Sequence, residues 1–219
     1  EKSIIGEEIK MYEDSPDEKI LDVFNEVLFN KSYLGKPILG TFESISAFNS
    51  DILNSYYRRY FSPNNLKCVV AGSIDGNDEV QSLIKESLSA ISFDVDDSPR
   101  LNLRDIEFAF NDFHLDKDLE QMHFCVGYPG ISYNHPDRFS LTLLSTILGG
   151  SMSSRLFQSV RERSGLAYSI YSSPSFYYDT GSLMIYAGTS KENFRQARDC
   201  VDKEIEGLLK HGISKDEFD

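Results

Sequence analysis

Glu1 and Glu8 stand seven residues apart in the opening run EKSIIGEEIKMYED. At about 100° per residue, seven helical steps return to nearly the same face, two turns further on. One carboxylate of such a pair can ligate a metal while the other hydrogen-bonds a ligand and orients it. The same spacing also describes a solvated acidic helix face, and Glu7, Lys10, Glu13 and Asp14 beside it favour that reading.

A second group lies in GGSMSSRLFQSVRERSGLAY, residues 149–168. Gly149 and Gly150 allow close backbone approach or flexibility. Arg161 ends a helix, Ser164-Gly165 turns the chain, and Tyr168 opens a strand. An arginine and a tyrosine brought together at such a turn can hold a peptide carbonyl and stabilise its oxyanion. The alternative is an arginine on a helix dipole and a tyrosine in a half-buried strand.

The histidines, His114, His123, His135 and His211, show no HxxH, HxxEH or HExxH spacing. They read as structural or surface residues, so no complete helical zinc site lies within the chain. Phosphate-cradling glycine loops and a GxSxG elbow are also missing from the sequence.

The elements that must position these groups come from a globular composition. Of 219 residues, 40% are hydrophobic and 26% charged, which supports a core of useful size. The net charge of -13 repels phosphate backbones and anionic lipid, so neither nucleic acid nor a membrane is an expected partner. No apolar run reaches the ~18 residues of a membrane span. Cys68, Cys125 and Cys200 are odd in number and far apart. They read as free thiols in a reducing compartment, which predicts a cytoplasmic protein. Glu1 opens inside what reads as a helix and GISKDEFD stops as another begins, so the chain reads as a fragment.

Helical periodicity covers residues 1 to about 30, with a break near Asp14-Ser15. Ser15-Pro16-Asp17-Glu18 is a helix-start pattern. A helix from Ser44 or Ser46 passes Ile52, Leu53, Tyr56 and Tyr57 and stops at Ser62-Pro63. LKCVVAGSI then reads as a strand, and a helix runs from Asp78 to about Ile91. The acidic stretch 92–100 reads as a domain boundary. IEFAF and QMHFCVGYPG read as strands, followed by a helix from near Pro136 through Ile147 and another from Met152 to Val160. The aromatic stretch after Ala167 reads as a hairpin turning at Asp179-Thr180-Gly181. The last helix spans Lys191 to about Lys210. The pattern predicts an α+β fold in two units, each a mostly antiparallel sheet with helices packed on one face. The divisions are 1–93, a linker at 94–103, and 104–219.

Three stretches together resemble the pitrilysin/insulinase class of inverted-motif zinc metallopeptidases, in the branch of mitochondrial processing peptidase and its bacterial relatives. They are EKSIIGEEIKMYEDSPDEKILDVFNEVLF, then YLGKPILGTFESI with YFSPNNLKCVVAGSID, then HPDRFSLTLLSTILGGSMSSRLFQSVRERSGLAYSIYSSPSFYYDTG. The resemblance spans nearly the whole chain. It implies a pair of homologous α+β domains facing each other as a clamshell, and a bacterial source. It implies that HxxEH, with two histidine ligands and the glutamate base, lies upstream of this sequence. It makes Glu8 the third ligand of one zinc ion and Glu1 the carboxylate that supports the ligating histidines. Arg161 and Tyr168 match the family's R-x6-Y element, which contacts substrate near the metal. Gly149-Gly150 falls at the glycine-rich loop of processing-peptidase-like members. The implied activity is zinc-dependent endopeptidase in the full-length protein, on a peptide or small protein. The implied assembly is a homo-oligomer or a pair with a similar subunit. The chain alone, without two ligands and the base, is expected to be inactive and to hold no zinc. The alternative is a non-catalytic, peptide-binding subunit of the same family.

Overall fold

The computed structural model describes residues 1–30, 32–61, 65–73, 77–89 and 106–218. Helices α1 (Lys2–Asp14) and α2 (Pro16–Phe29) come first, then a 3-10 turn at Tyr33–Gly35. Helices α3 (Phe42–Ala47), α4 (Ser50–Tyr60) and α5 (Asn77–Ser89) follow. Strand β1 (Met122–Pro129) leads to α6 (Arg138–Ser145). The hairpin of β2 (Ala167–Phe176) and β3 (Gly181–Thr189) precedes α7 (Phe194–His211) and α8 (Lys215–Phe218). Between α6 and β2 the backbone twice winds wider than an α-helix, at Thr146–Gly150 and Phe157–Arg163. Two compact units result: Glu1–Thr41 together with Asn102–Asp219, and Phe42–Leu101.

The first unit is α+β. Its antiparallel sheet has the order β1-β3-β2. All nine residues of the central strand β3 are buried. Cys125 of β1 and Tyr171 of β2 both pair with Tyr186 of β3. One sheet face contributes Phe124, Ile170, Ile185 and Ala187 to a core shared with Ala197 and Val201 of α7. Leu148, Leu156 and Val160, from the segments between α6 and β2, complete it. Leu156, Val160, Ile185 and Val201 expose no surface, and burying each contributes about 1.5–3 kcal/mol. Helix α2 lies against β1, with the Phe24 ring over Gly127.

The break between α1 and α2 falls where the residue types require it. Ser15 is extended (φ -97°, ψ 101°), Pro16 occupies the first helical position, and Asp17 and Glu18 fill the first turn. The Ser15 hydroxyl donates to Asp17 at 2.9 Å. The hairpin forms as the pattern predicts, with β3 starting at Gly181.

Four expectations differ from the structure. The helix expected from Met152 to Val160 starts only at Arg155 and winds wide from Phe157 to Arg163. The helix through Ile52 is two helices, because Asn49 caps the second by accepting from the Ile52 N–H at 2.9 Å. LKCVVAGSI forms no strand over its described residues 66–73, where Val69 is 88% exposed. β-branched residues make a strand only beside a partner for the backbone groups, and no described residue of the Phe42–Leu101 unit supplies one. IEFAF is also unpaired as a strand. Its Ala109 N–H donates to the Leu28 carbonyl at 3.0 Å, and Phe108 packs on Phe29 of α2. The end of α2, not a sheet edge, takes up that segment. The boundary at 92–100 and the linker at 94–103 lie outside the described residues.

Candidate functional site

The backbone from α6 into β2 holds Arg161 and Tyr168 on an irregular path. Gly149 ends the first wide turn with φ -157° and ψ 15°. A Cβ there would stand 2.5 Å from the Ser172 backbone nitrogen, so only glycine admits this approach of the first wide turn to β2. Beneath it the Ser172 hydroxyl donates to the Ser145 carbonyl at 2.7 Å, and the two serine hydroxyls lie 2.9 Å apart. Gly149 is buried and Gly150 exposed.

The second wide turn carries Arg161 beside the fully buried Val160. Gly165 then adopts φ +61°, in the left-handed region that costs other residues about 1–2 kcal/mol. Its N–H donates to the Arg161 carbonyl at 3.0 Å. The next residue is fastened at both polar groups. The Leu166 N–H donates to the Val160 carbonyl at 2.9 Å, and its carbonyl accepts from the Thr189 hydroxyl at 2.5 Å. Ala167 enters the core.

Tyr168 falls at a β-bulge. Ala167 pairs with Thr189 and Ser169 with Gly188, so two steps on β2 oppose one on β3. A bulge bends the strand and re-aims the extra side chain, and Tyr168 is 61% exposed. Arg161 is also exposed. Its guanidinium carbon lies 4.9 Å over the Phe157 ring, with no hydrogen bond or ion pair among the described residues. The sequence reading did not single out Phe157. Its signal was the i, i+4 spacing of an aromatic and an arginine.

Glu1 and Glu8 present a plainer picture. Glu1 precedes α1 and Glu8 lies within it; both are exposed. The helix is anchored by Gly6 and Ile9, which are buried, and by Lys117, which donates to the Glu13 carbonyl. Of the adjacent charges, Glu7 pairs with Lys10 at 3.0 Å. No hydrogen bond or ion pair joins Glu1 or Glu8 to Arg161 or Tyr168 among the described residues. Zinc asks for about four donors. Among the described residues no three His, Cys, Asp or Glu side chains gather to hold a metal. The described residues therefore do not amount to a zinc site; Glu8 offers one carboxylate.

The histidines serve elsewhere. His123 Nδ1 lies 2.9 Å from the Tyr186 hydroxyl, and burial holds its pKa below the usual value, partly offset by the charge of Asp17. His114 pairs with Asp116 at 3.0 Å, and His135 accepts from the Asp137 N–H at 3.1 Å. Burial pushes the Cys125 thiol up to about 12, which keeps it protonated and unreactive. Among the described residues no helix is long and apolar enough to cross a membrane.

Comparison with known proteins places these features in a family. The family described as "Peptidase M16 inactive domain" matches residues 47–219. The uncharacterized zinc protease YmxG of Bacillus subtilis is 38% identical over 219 residues, covering 100% of this chain and 52% of that protein. An uncharacterized zinc protease of Streptomyces coelicolor is 34% identical over 222 residues, covering 100% of this chain and 48% of its own. The chain thus spans about half the length of the curated relatives it matches. Among solved structures, a protease from Helicobacter pylori shares the fold with a TM-score of 0.83 at 19% identity, covering 99% of this chain and 53% of that one. A chain of Complex III2 from Candida albicans does so at 0.80 and 20%, covering 99% and 52%. With the family matched over most of its length, the chain belongs to the peptidase M16 family.

Proposed function

We propose that the full-length protein is a zinc-dependent endopeptidase and that this chain supplies its substrate-holding arm, Arg161 and Tyr168. The observation that carries this reading is their presentation. A guanidinium free of hydrogen-bond and ion-pair partners among the described residues and a phenol set on a bulge are both exposed on a buried scaffold. Arg161 has donors for a carbonyl oxygen of an extended peptide, and the Tyr168 hydroxyl can donate to a carbonyl oxygen as negative charge builds on it. Glu8 is the chain's proposed contribution to the metal, with Glu1 as the carboxylate that supports the ligating histidines and Gly149-Gly150 as the glycine-rich loop. The remaining donors belong to residues beyond those described. A peptide or small protein is the proposed substrate, and a second copy or similar subunit the proposed partner.

The deciding experiment is Tyr168→Phe in the full-length protein. The substitution keeps the ring and removes one donor. We expect kcat on a peptide substrate to fall by about tenfold or more, the scale of a lost transition-state hydrogen bond. Unchanged turnover would remove Tyr168 from the mechanism.

A second reading, a non-catalytic subunit that binds peptides through the same two residues, is favoured by the description of the matching family as an inactive domain. Zinc content separates the two. Stoichiometric zinc in the purified full-length protein supports the enzyme, and its absence supports the subunit.

A further inference from the structure

The arginines around the second wide turn are held in two different ways. Arg155 is locked by Glu217, at 2.5 and 2.8 Å, and by the Gly212 carbonyl at 2.8 Å. Arg163 Nε donates to the Gln158 carbonyl at 3.3 Å. Arg161 lies between them in sequence and, among the described residues, its guanidinium rests on an aromatic ring alone. This difference has chemical content. A carboxylate or carbonyl partner fixes a guanidinium by occupying its N–H groups. A ring face fixes it through the π-cloud and leaves all five N–H donors available. The ring itself is well placed to act as a rest. Phe157 is half-buried and follows Leu156, which exposes no surface, as does Val160 one turn on.

We propose that Phe157 is the positioning residue for Arg161, holding the guanidinium over its ring so that its N–H donors stay available to an incoming peptide carbonyl. The inference rests on the assignment of Arg161 to substrate holding and deepens it. Phe157 does not touch the substrate. It restricts where the arginine can be, which reduces the side-chain freedom lost on binding.

The test measures the affinity of the full-length protein for a fluorescein-labelled, end-blocked, unstructured peptide that the wild-type protein binds. Phe157→Leu removes the π face and keeps an apolar side chain; Phe157→Met takes its place should the leucine variant not fold. Phe157→Tyr keeps the π face. An exposed cation–π contact predicts that Phe157→Leu weakens binding about two- to fivefold, while Phe157→Tyr binds as wild type. In an Arg161→Ala background, Phe157→Leu should have no further effect. Wild-type affinity in Phe157→Leu overturns the inference, provided Arg161→Ala itself binds more weakly. So does a Phe157→Leu loss that persists in the Arg161→Ala background or that Phe157→Tyr fails to rescue. Wild-type affinity in Arg161→Ala overturns the underlying assignment instead, so the two failures are told apart.

Discussion

Helix α1 and the stretch from the second wide turn into β2 both carry residues of the proposed active site, and they are held in opposite ways. Glu1 just before α1 and Glu8 within it are both exposed, on a regular helix that rests on Gly6 and Ile9. Any side chain of similar propensity could replace them without disturbing a contact. Arg161 and Tyr168 sit on two departures from regularity, a wide helical turn and a bulge, each fixed by fully buried neighbours. Irregular backbone persists only where its surroundings over-determine it. The turn is therefore set within this chain, whereas a metal site at Glu8 depends on donors beyond the described residues.

Three substitutions sharpen or break that contrast, ordered by expected cost to stability. Leu156→Ala should cost about 2–5 kcal/mol, because it empties a site with no exposed surface beneath the turn. Denaturant titration measures it, and a cost near that of a surface change would show that the turn is not held by the core. Gly165→Ala should cost about 1–2 kcal/mol through its positive φ alone, since nothing lies within 4 Å of the new methyl group. A neutral result would mean that the turn relaxes freely. Glu8→Gln should change stability by less than about 0.5 kcal/mol, as exposed substitutions do. In the full-length protein it should nevertheless lower zinc content. Retained stoichiometric zinc would exclude Glu8 as a ligand.

What the sequence revealed follows from which signals are local. The break at Ser15-Pro16 and the hairpin turn before Gly181 are written in residue types with fixed backbone preferences, and both are where those residues place them. The wide turns are not legible in this way. A stripe of Leu156 and Val160 four residues apart fits an α-helix as well as a wider one, and only packing against β2 and α7 selects between them. LKCVVAGSI failed for the converse reason. Its composition is that of a strand, but a strand is a relation between two chain segments. Of the candidate site, the placement of Arg161 and Tyr168 on either side of a turn was readable while the support of that turn was not, because the bulge depends on register with β3.

That register carries one more consequence, a matter of parity. Ala167 and Ile170 both point into the same core, yet they are three residues apart. In an uninterrupted strand, side chains separated by an odd number face opposite sides. The two can share a face only because one residue between them is not counted by the ladder, and that residue position is occupied by Tyr168. Deleting it would turn either Ala167 or the rest of β2 inside out. Replacing it with another exposed side chain would leave the core untouched. The fold thus guarantees that a residue stands at this point and leaves its identity free, and here that identity is a tyrosine.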